Sequence, residues 1–143
     1  MESQINFYSK GDFVLKQDLL HKEWLKSVLL SEEKKRGDLS FIFCSDQDLL
    51  EINQKYLNHD TYTDIITFDY SEGDFISAEI YISTDRVKDN AENFEVPFED
   101  ELKRVMVHGV LHCCGYDDST EELKAQMRAL ETKKMKLFHV EQK

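Results

Sequence analysis

The chain has 143 residues, 41% of them hydrophobic and 33% charged, with a formal net charge of −11 at pH 7. That is enough chain for one domain with a single substantial core, and no stretch approaches the roughly 18 uninterrupted apolar residues of a membrane span. The acidic balance excludes the general attraction to phosphate that most nucleic-acid binders use, so an anionic substrate requires a local basic patch or a metal ion.

Residues 5–8 read as a first strand. After the Lys10-Gly11-Asp12 turn, Leu15, Leu19, Leu20, Trp24 and Val28 recur at helical spacing and predict an amphipathic helix ending near Leu30. Residues 31–37 are expected to form a charged loop, and residues 39–44 are β-rich and suit a central strand. Ser45 is placed to cap a second helix, with Asp48 in its first turn and an end near Tyr56. A polar loop over residues 58–64 leads into a strand at 65–70, and the turn at 71–74 joins it to a strand at 75–83, so the two form a hairpin. In the second of these strands Ile76, Ala78, Ile80 and Ile82 alternate with Ser77, Glu79, Tyr81 and Ser83, a pattern that suits an edge strand beside a cleft. Thr84 is placed to cap a short helix to about Phe94. Pro97 opens the next helix, and residues 119–122 offer a capping box for a last helix whose Leu123, Met127, Leu130, Lys134 and Leu137 keep helical spacing. The expected fold is α+β, one domain over residues 1–143 with about four strands and four or five helices.

The N-terminal residues lack the basic and apolar regions of a secretory signal, so export is not expected. Three cysteines, two of them the adjacent Cys113 and Cys114, do not form a disulfide framework and read as reduced thiols of a cytoplasmic protein. The clusters Lys34-Lys35-Arg36 and Lys133-Lys134 read as solvated surface.

Chemistry concentrates between His108 and Asp118. Residues i and i+4 of a helix share one face, so His108 and His112 can converge on one ion. Gly115 can end the helix in a left-handed conformation and turn the chain back. The reversal brings Asp118, or alternatively Asp117, to the same ion. Three protein ligands plus a water make a catalytic zinc arrangement, whereas structural sites are closed by four. The helix carrying the pair includes Val105, Met106, Val107, Val110, Leu111, Cys113 and Cys114, and should therefore be buried. Two buried imidazoles need partners, because an unpaired buried polar group costs about 1–3 kcal/mol. One metal ion satisfies both. Both cysteines lie off the histidine face and read as core packing.

The spacing His-x3-His-x2-Gly-x2-Asp resembles that of metzincin-type proteases, but Gly109 stands where those enzymes carry the glutamate that serves as general base. Phosphodiester hydrolysis does not require it, since a zinc ion lowers the pKa of its water to about 7 and stabilises charge on a phosphoryl oxygen.

The run His108-Gly-x-Leu-His112-x-x-Gly115-Tyr116-Asp117 resembles the signature of the YbeY family of endoribonucleases. Asn53-x-x-Tyr56, Thr63-Asp-Ile-Ile-Thr-Phe68 and Glu79-Ile80 are similar to further segments of that family, so the likeness spans roughly residues 38–138. It implies a zincin-like fold, with helices and a central metal-bearing helix packed on a mixed sheet. It also implies a zinc-dependent endoribonuclease, cutting single-stranded rRNA in 16S rRNA 3′-end maturation and ribosome quality control, with ribosomal particles as partners. A rival is a ribosome-associated assembly factor whose metal is mainly structural, which the acidic charge favours. Two positions depart from the family pattern. Asp118 replaces a usual third histidine, giving the metal set His108, His112 and Asp118 for one zinc ion, with an oxygen donor that also suits Mn²⁺. Leu57 replaces a usual arginine thought to meet RNA, and His59 is either a substitute at the catalytic site or an exposed loop residue. Arg104, one turn before His108, either reaches substrate phosphate with its guanidinium or pairs with an acidic neighbour. Asp117 either orients a ligand histidine or caps its loop.

Overall fold

A computed structural model describes residues 4–57 and 63–138. The elements run β1 (Ile5–Ser9), α1 (Asp18–Ser31), β2 (Lys35–Cys44), α2 (Asp46–Leu57), β3 (Ile65–Asp69), β4 (Phe75–Ser83), α3 (Thr84–Phe94), α4 (Phe98–Cys113) and α5 (Glu121–Met135). The strands form one mixed sheet in the order β1-β2-β4-β3. β1 and β4 lie parallel to β2, and β3 runs antiparallel to β4. The expected α+β architecture, with a mixed four-stranded sheet and a central helix carrying the histidines, is the observed one.

The alternation of apolar residues sets which side of the sheet is packed. Leu39, Phe41 and Phe43 of β2 pair with Ala78, Ile80 and Ile82 of β4 on one face. Against this face lie Trp24, Leu25, Val28 and Leu29 of α1 and Leu102, Val105, Met106 and Val110 of α4, all buried in one cluster. On the opposite face, Cys44, Leu49 and Ile66 form a smaller cluster that seats α2. No helix among the described residues is long and apolar enough to cross a membrane.

Several boundaries differ from the sequence expectation. β4 is not an edge strand: β2 and β3 flank it, and the edges are β1 and β3. Its polar alternate residues face the α2 side, where Tyr81 packs against the smaller cluster. Part of the expected loop at 31–37 is strand, since Lys35 pairs with Phe75 and Arg36 with Ile76 before the register shifts ahead of Leu39. Gly37 permits this close pairing, because a Cβ there would collide with Ser77 Oγ and lie 2.8 Å from the Ile76 carbonyl oxygen. α1 begins at Asp18, three residues later than its apolar pattern, because Gln17 adopts a left-handed conformation with φ 58°. Ser45 does cap α2: its Oγ accepts from the Asp48 backbone N–H at 3.0 Å, and Asp48 accepts in return from the Ser45 N–H at 3.4 Å. For α3 the cap is Ser83, whose Oγ accepts from the Arg86 N–H at 3.0 Å, while the Thr84 hydroxyl donates to the Cys44 carbonyl instead.

Candidate metal centre

α4 is seated by both its ends and its middle. Pro97 occupies its N-cap, and Glu99, Asp100 and Glu101 in the first turn complement the positive end of the helix dipole. Its interior residues from Leu102 to Leu111 are buried where they face the sheet and α1, as its apolar sequence requires. Gly109 sits over β3 and β4, where an added Cβ would approach Ile65 Cδ1 to 3.0 Å and Ile80 Cδ1 to 3.2 Å. The missing side chain lets the helix lie close on the sheet, and a glutamate at this position would be driven into Ile65 and Ile80.

Past Cys113 the chain reverses as expected. Gly115 has φ 107°, and the Tyr116 N–H donates to the Leu111 carbonyl at 3.1 Å, closing the helix end. The Tyr116 hydroxyl donates to Glu32 at 2.7 Å, and Glu32 pairs with Lys134 Nζ at 2.7 Å, which also donates to Ser31 Oγ. Lys134 is buried, not solvated, because this network consumes its charge. The tyrosine hydroxyl is held so well as a donor to Glu32 that its pKa is raised. Asp117 takes the loop-capping role: its carboxylate accepts from the backbone N–H groups of Asp118 and Ser119 and from the Ser119 hydroxyl. Asp118 is thereby turned toward the imidazoles, with its oxygens 3.4 Å from His108 Nε2 and 3.5 Å from His112 Nε2.

The three side chains offer ligand atoms that all lie within 4.8 Å of one another. Each histidine Nε2 lies against a different oxygen of the Asp118 carboxylate, so the three side chains close on one point where an ion could sit. The donor set, two imidazoles and one carboxylate, also suits zinc chemically.

The orientation of His108 comes from a residue that the spacing of the motif does not reveal. Glu131 of α5, 4% exposed, places Oε2 2.6 Å from His108 Nδ1. A carboxylate only accepts, so Nδ1 carries the proton and Nε2 faces Asp118. The other Glu131 oxygen accepts from Arg104 at 3.0 Å, and the same guanidinium donates to the Arg128 carbonyl and to Thr132 Oγ1. Arg104 thus takes the acidic-partner alternative. Burial disfavours the charged form of His108, but the Glu131 hydrogen bond and the negative charges of Glu131, Asp118 and Asp64 outweigh it, and the pKa is raised. Sequence reasoning missed Glu131; it lies four residues after the buried Met127 on α5, and an acid on that inward face is a signal that marks it as buried but not as a partner of His108.

The remaining candidates separate clearly. Cys113 is buried and Cys114 partly so, with burial pushing their thiols up to about 12 and about 11, which leaves them unreactive core residues. Leu57, 42% exposed, ends α2 and supplies no charge. His59 lies outside the described residues.

A mixed sheet carrying a buried helix, with two histidines and one carboxylate converging at that helix's end, defines a class of α+β domain with a cluster able to hold a metal ion. The chain matches the family model described as Endoribonuclease YbeY over residues 7–139, and it belongs to that family. It is 55% identical to an Endoribonuclease YbeY of Flavobacterium psychrophilum, covering 96% of this chain and 99% of that protein. It is 50% identical to one of Christiangramia forsetii, covering 99% of each. A Thermotoga maritima protein with a known solution structure superposes with a TM-score of 0.66 at 29% identity, covering 94% of this chain and 89% of that one.

Proposed function

We propose that the protein is a metal-dependent endoribonuclease in which His108, His112 and Asp118 hold one zinc ion. The observation that carries the reading is the convergence of three ligand atoms beside a cavity lined by His108 and Asp118, on a helix in which Gly109 leaves no protease base. Relatives covering nearly the whole chain are named as endoribonucleases. A zinc ion held there supplies Lewis acidity and a water of lowered pKa, the two requirements of phosphodiester hydrolysis. The chain's own part is to fix geometry: Glu131 holds the His108 ring, Arg104 holds Glu131, and the Tyr116–Glu32–Lys134 network fixes the turn that bears Asp118. In this reading Arg104 is a positioning residue. The proposed substrate is single-stranded rRNA in the cytoplasm, within 16S rRNA 3′-end maturation and ribosome quality control.

A second reading, an assembly factor on ribosomal particles with a structural metal, draws support from Leu57, which places an exposed apolar side chain where the family pattern has a cation. The two separate in one experiment. Purified protein is assayed for bound metal and then incubated with single-stranded and duplex rRNA fragments beside His112→Ala. The endoribonuclease reading expects zinc at one per chain and single-strand cleavage that His112→Ala abolishes. Cleavage that persists in the variant belongs to a contaminant and defeats the reading, while bound zinc without cleavage establishes the second. Metal content unchanged in Asp118→Ala refutes the third ligand.

A further inference from the structure

Beside the His108–Asp118 cluster lies a cavity of about 390 Å³ whose wall includes both residues and extends along α4 to Glu101 and across to Phe94 of α3 and Arg128 of α5. Glu101 is only 5% exposed. Among the described residues its carboxylate has no hydrogen bond or ion pair, and its oxygens are not sealed from the cavity. A buried carboxylate without donors is costly. Burial pushes its pKa up, while the charges of Arg104 and Arg128 draw it back. Such a group is matched by a ligand that brings N–H donors.

Position along α4 narrows what that ligand is. Glu101 precedes His108 by seven residues, close to two turns, so the two Cα atoms are about 10.5 Å apart along the axis. A phosphate held at the cluster would thus lie about two helical turns from the Glu101 backbone. That separation suits the outer edge of a nucleobase whose phosphate sits there. A second cation is not indicated, since among the described residues only His108, His112 and Asp118 form a group able to hold one. At the rim, the Arg128 guanidinium lies 5.3 Å from the centre of the Phe94 ring, and Phe94 is 52% exposed. Bases of single-stranded RNA stack on such aromatic and guanidinium planes.

We propose that this cavity is a nucleobase pocket that selects guanine next to the scissile phosphate, read by Glu101 and stacked at the Phe94–Arg128 pair. Guanine alone among the four bases presents two adjacent donors, N1–H and the N2 amino group, on its Watson–Crick edge, matching the two oxygens of a carboxylate. Adenine and cytosine set a ring acceptor beside their amino donor, and uracil flanks its single donor with two carbonyls. The proposal rests on the reading of the cluster as an RNA-cleaving centre, and its test is kept independent of cleavage.

The zinc-loaded full chain is titrated with each of the four nucleoside 5′-monophosphates, followed by amide shifts in NMR. Guanosine monophosphate is expected to bind about tenfold or more tighter than the uridine form, the discrimination typical of a good bidentate base contact. Glu101→Gln, which replaces one acceptor by a donor, should bring the ratio to within about twofold on that account. Equal binding of all four by the unaltered protein, or a ratio that survives in Glu101→Gln, overturns the proposal. If Glu101→Gln does not fold by circular dichroism, the exposed Phe94→Ala decides: guanosine monophosphate should bind several-fold more weakly, and unchanged affinity overturns the pocket. Guanine selectivity in a protein that cleaves no RNA leaves the pocket standing and defeats the function. Cleavage indifferent to base, joined to equal nucleotide binding, does the reverse.

Discussion

Replacing Glu131 by glutamine tests whether α5 tunes the metal centre. The substitution keeps the size of the side chain and one acceptor oxygen for His108 Nδ1, and it removes only the charge. A hydrogen bond to a charged group contributes about 1.5–3 kcal/mol and a neutral one about 0.5–1.5. The 2.6 Å contact, made by a residue 4% exposed, belongs to the charged kind. The difference, about 1–1.5 kcal/mol, is felt by the imidazole only as long as Nε2 must be presented to a ligand, and it corresponds to about tenfold in affinity. That lies at the lower end of the 10–100-fold range, roughly, seen when partners of ligand histidines are altered. Competition for zinc against a chromophoric chelator at pH 7.5 measures it, and the expected result is a tenfold weaker Glu131→Gln with unchanged far-UV dichroism. Affinity within twofold of the unaltered protein would refute the idea that this carboxylate orients the ring.

Gly109→Ala should lower stability by about 1 kcal/mol in urea unfolding: the helix gains roughly 0.5–1 kcal/mol from losing glycine, but crowding Ile65 and the fully buried Ile80 costs about 1–3. A stabilised variant would show that the sheet yields there. Lys134→Met strips the partly buried Glu32 of its cation while Tyr116 still donates to it, and should cost about 2 kcal/mol, between an exposed and a fully buried pair; a loss under 1 kcal/mol in the same assay would contradict the network. His21 is buried beside Phe7, Trp24 and Phe138, and it donates Nδ1–H to the Gln17 carbonyl. Burial lowers its pKa from 6.5, so the native state favours neutral imidazole. Its contribution is present above pH 6.5 and is lost as pH falls from there toward the lowered value, because the unfolded chain binds the proton first. His21→Leu should therefore flatten the decline of thermal stability below pH 6.5, and an unchanged slope would exclude His21 as its source.

The two histidines, the turning glycine and Asp118 were legible in the sequence because their geometry is local: helix spacing and one left-handed residue bring them together within eleven positions. Glu131 was not, since its contact with His108 spans 23 residues and depends on how α5 docks, which no period encodes. The same division runs through the fold. Alternation in β4 correctly told which residues point inward, but it carried no information on lateral neighbours, and the insertion of β4 between β2 and β3 is a matter of long-range pairing. Arg104 and Asp117 each had two roles consistent with the sequence, and only the arrival of Glu131 and the path of the turn chose between them.

α5 holds the centre from two sides, with Glu131 on the ring of His108 and Lys134 on the strut that steadies the Asp118 turn. During synthesis α4 and its histidines emerge before either hold exists. A nascent chain that ends before α5 lacks both holds, together with Met127, which α5 gives to the main core. An ion bound by His108, His112 and Asp118 would therefore be steadied only while α5 is docked, and opening of that one helix, by nicking or by local unfolding, would remove both holds at once.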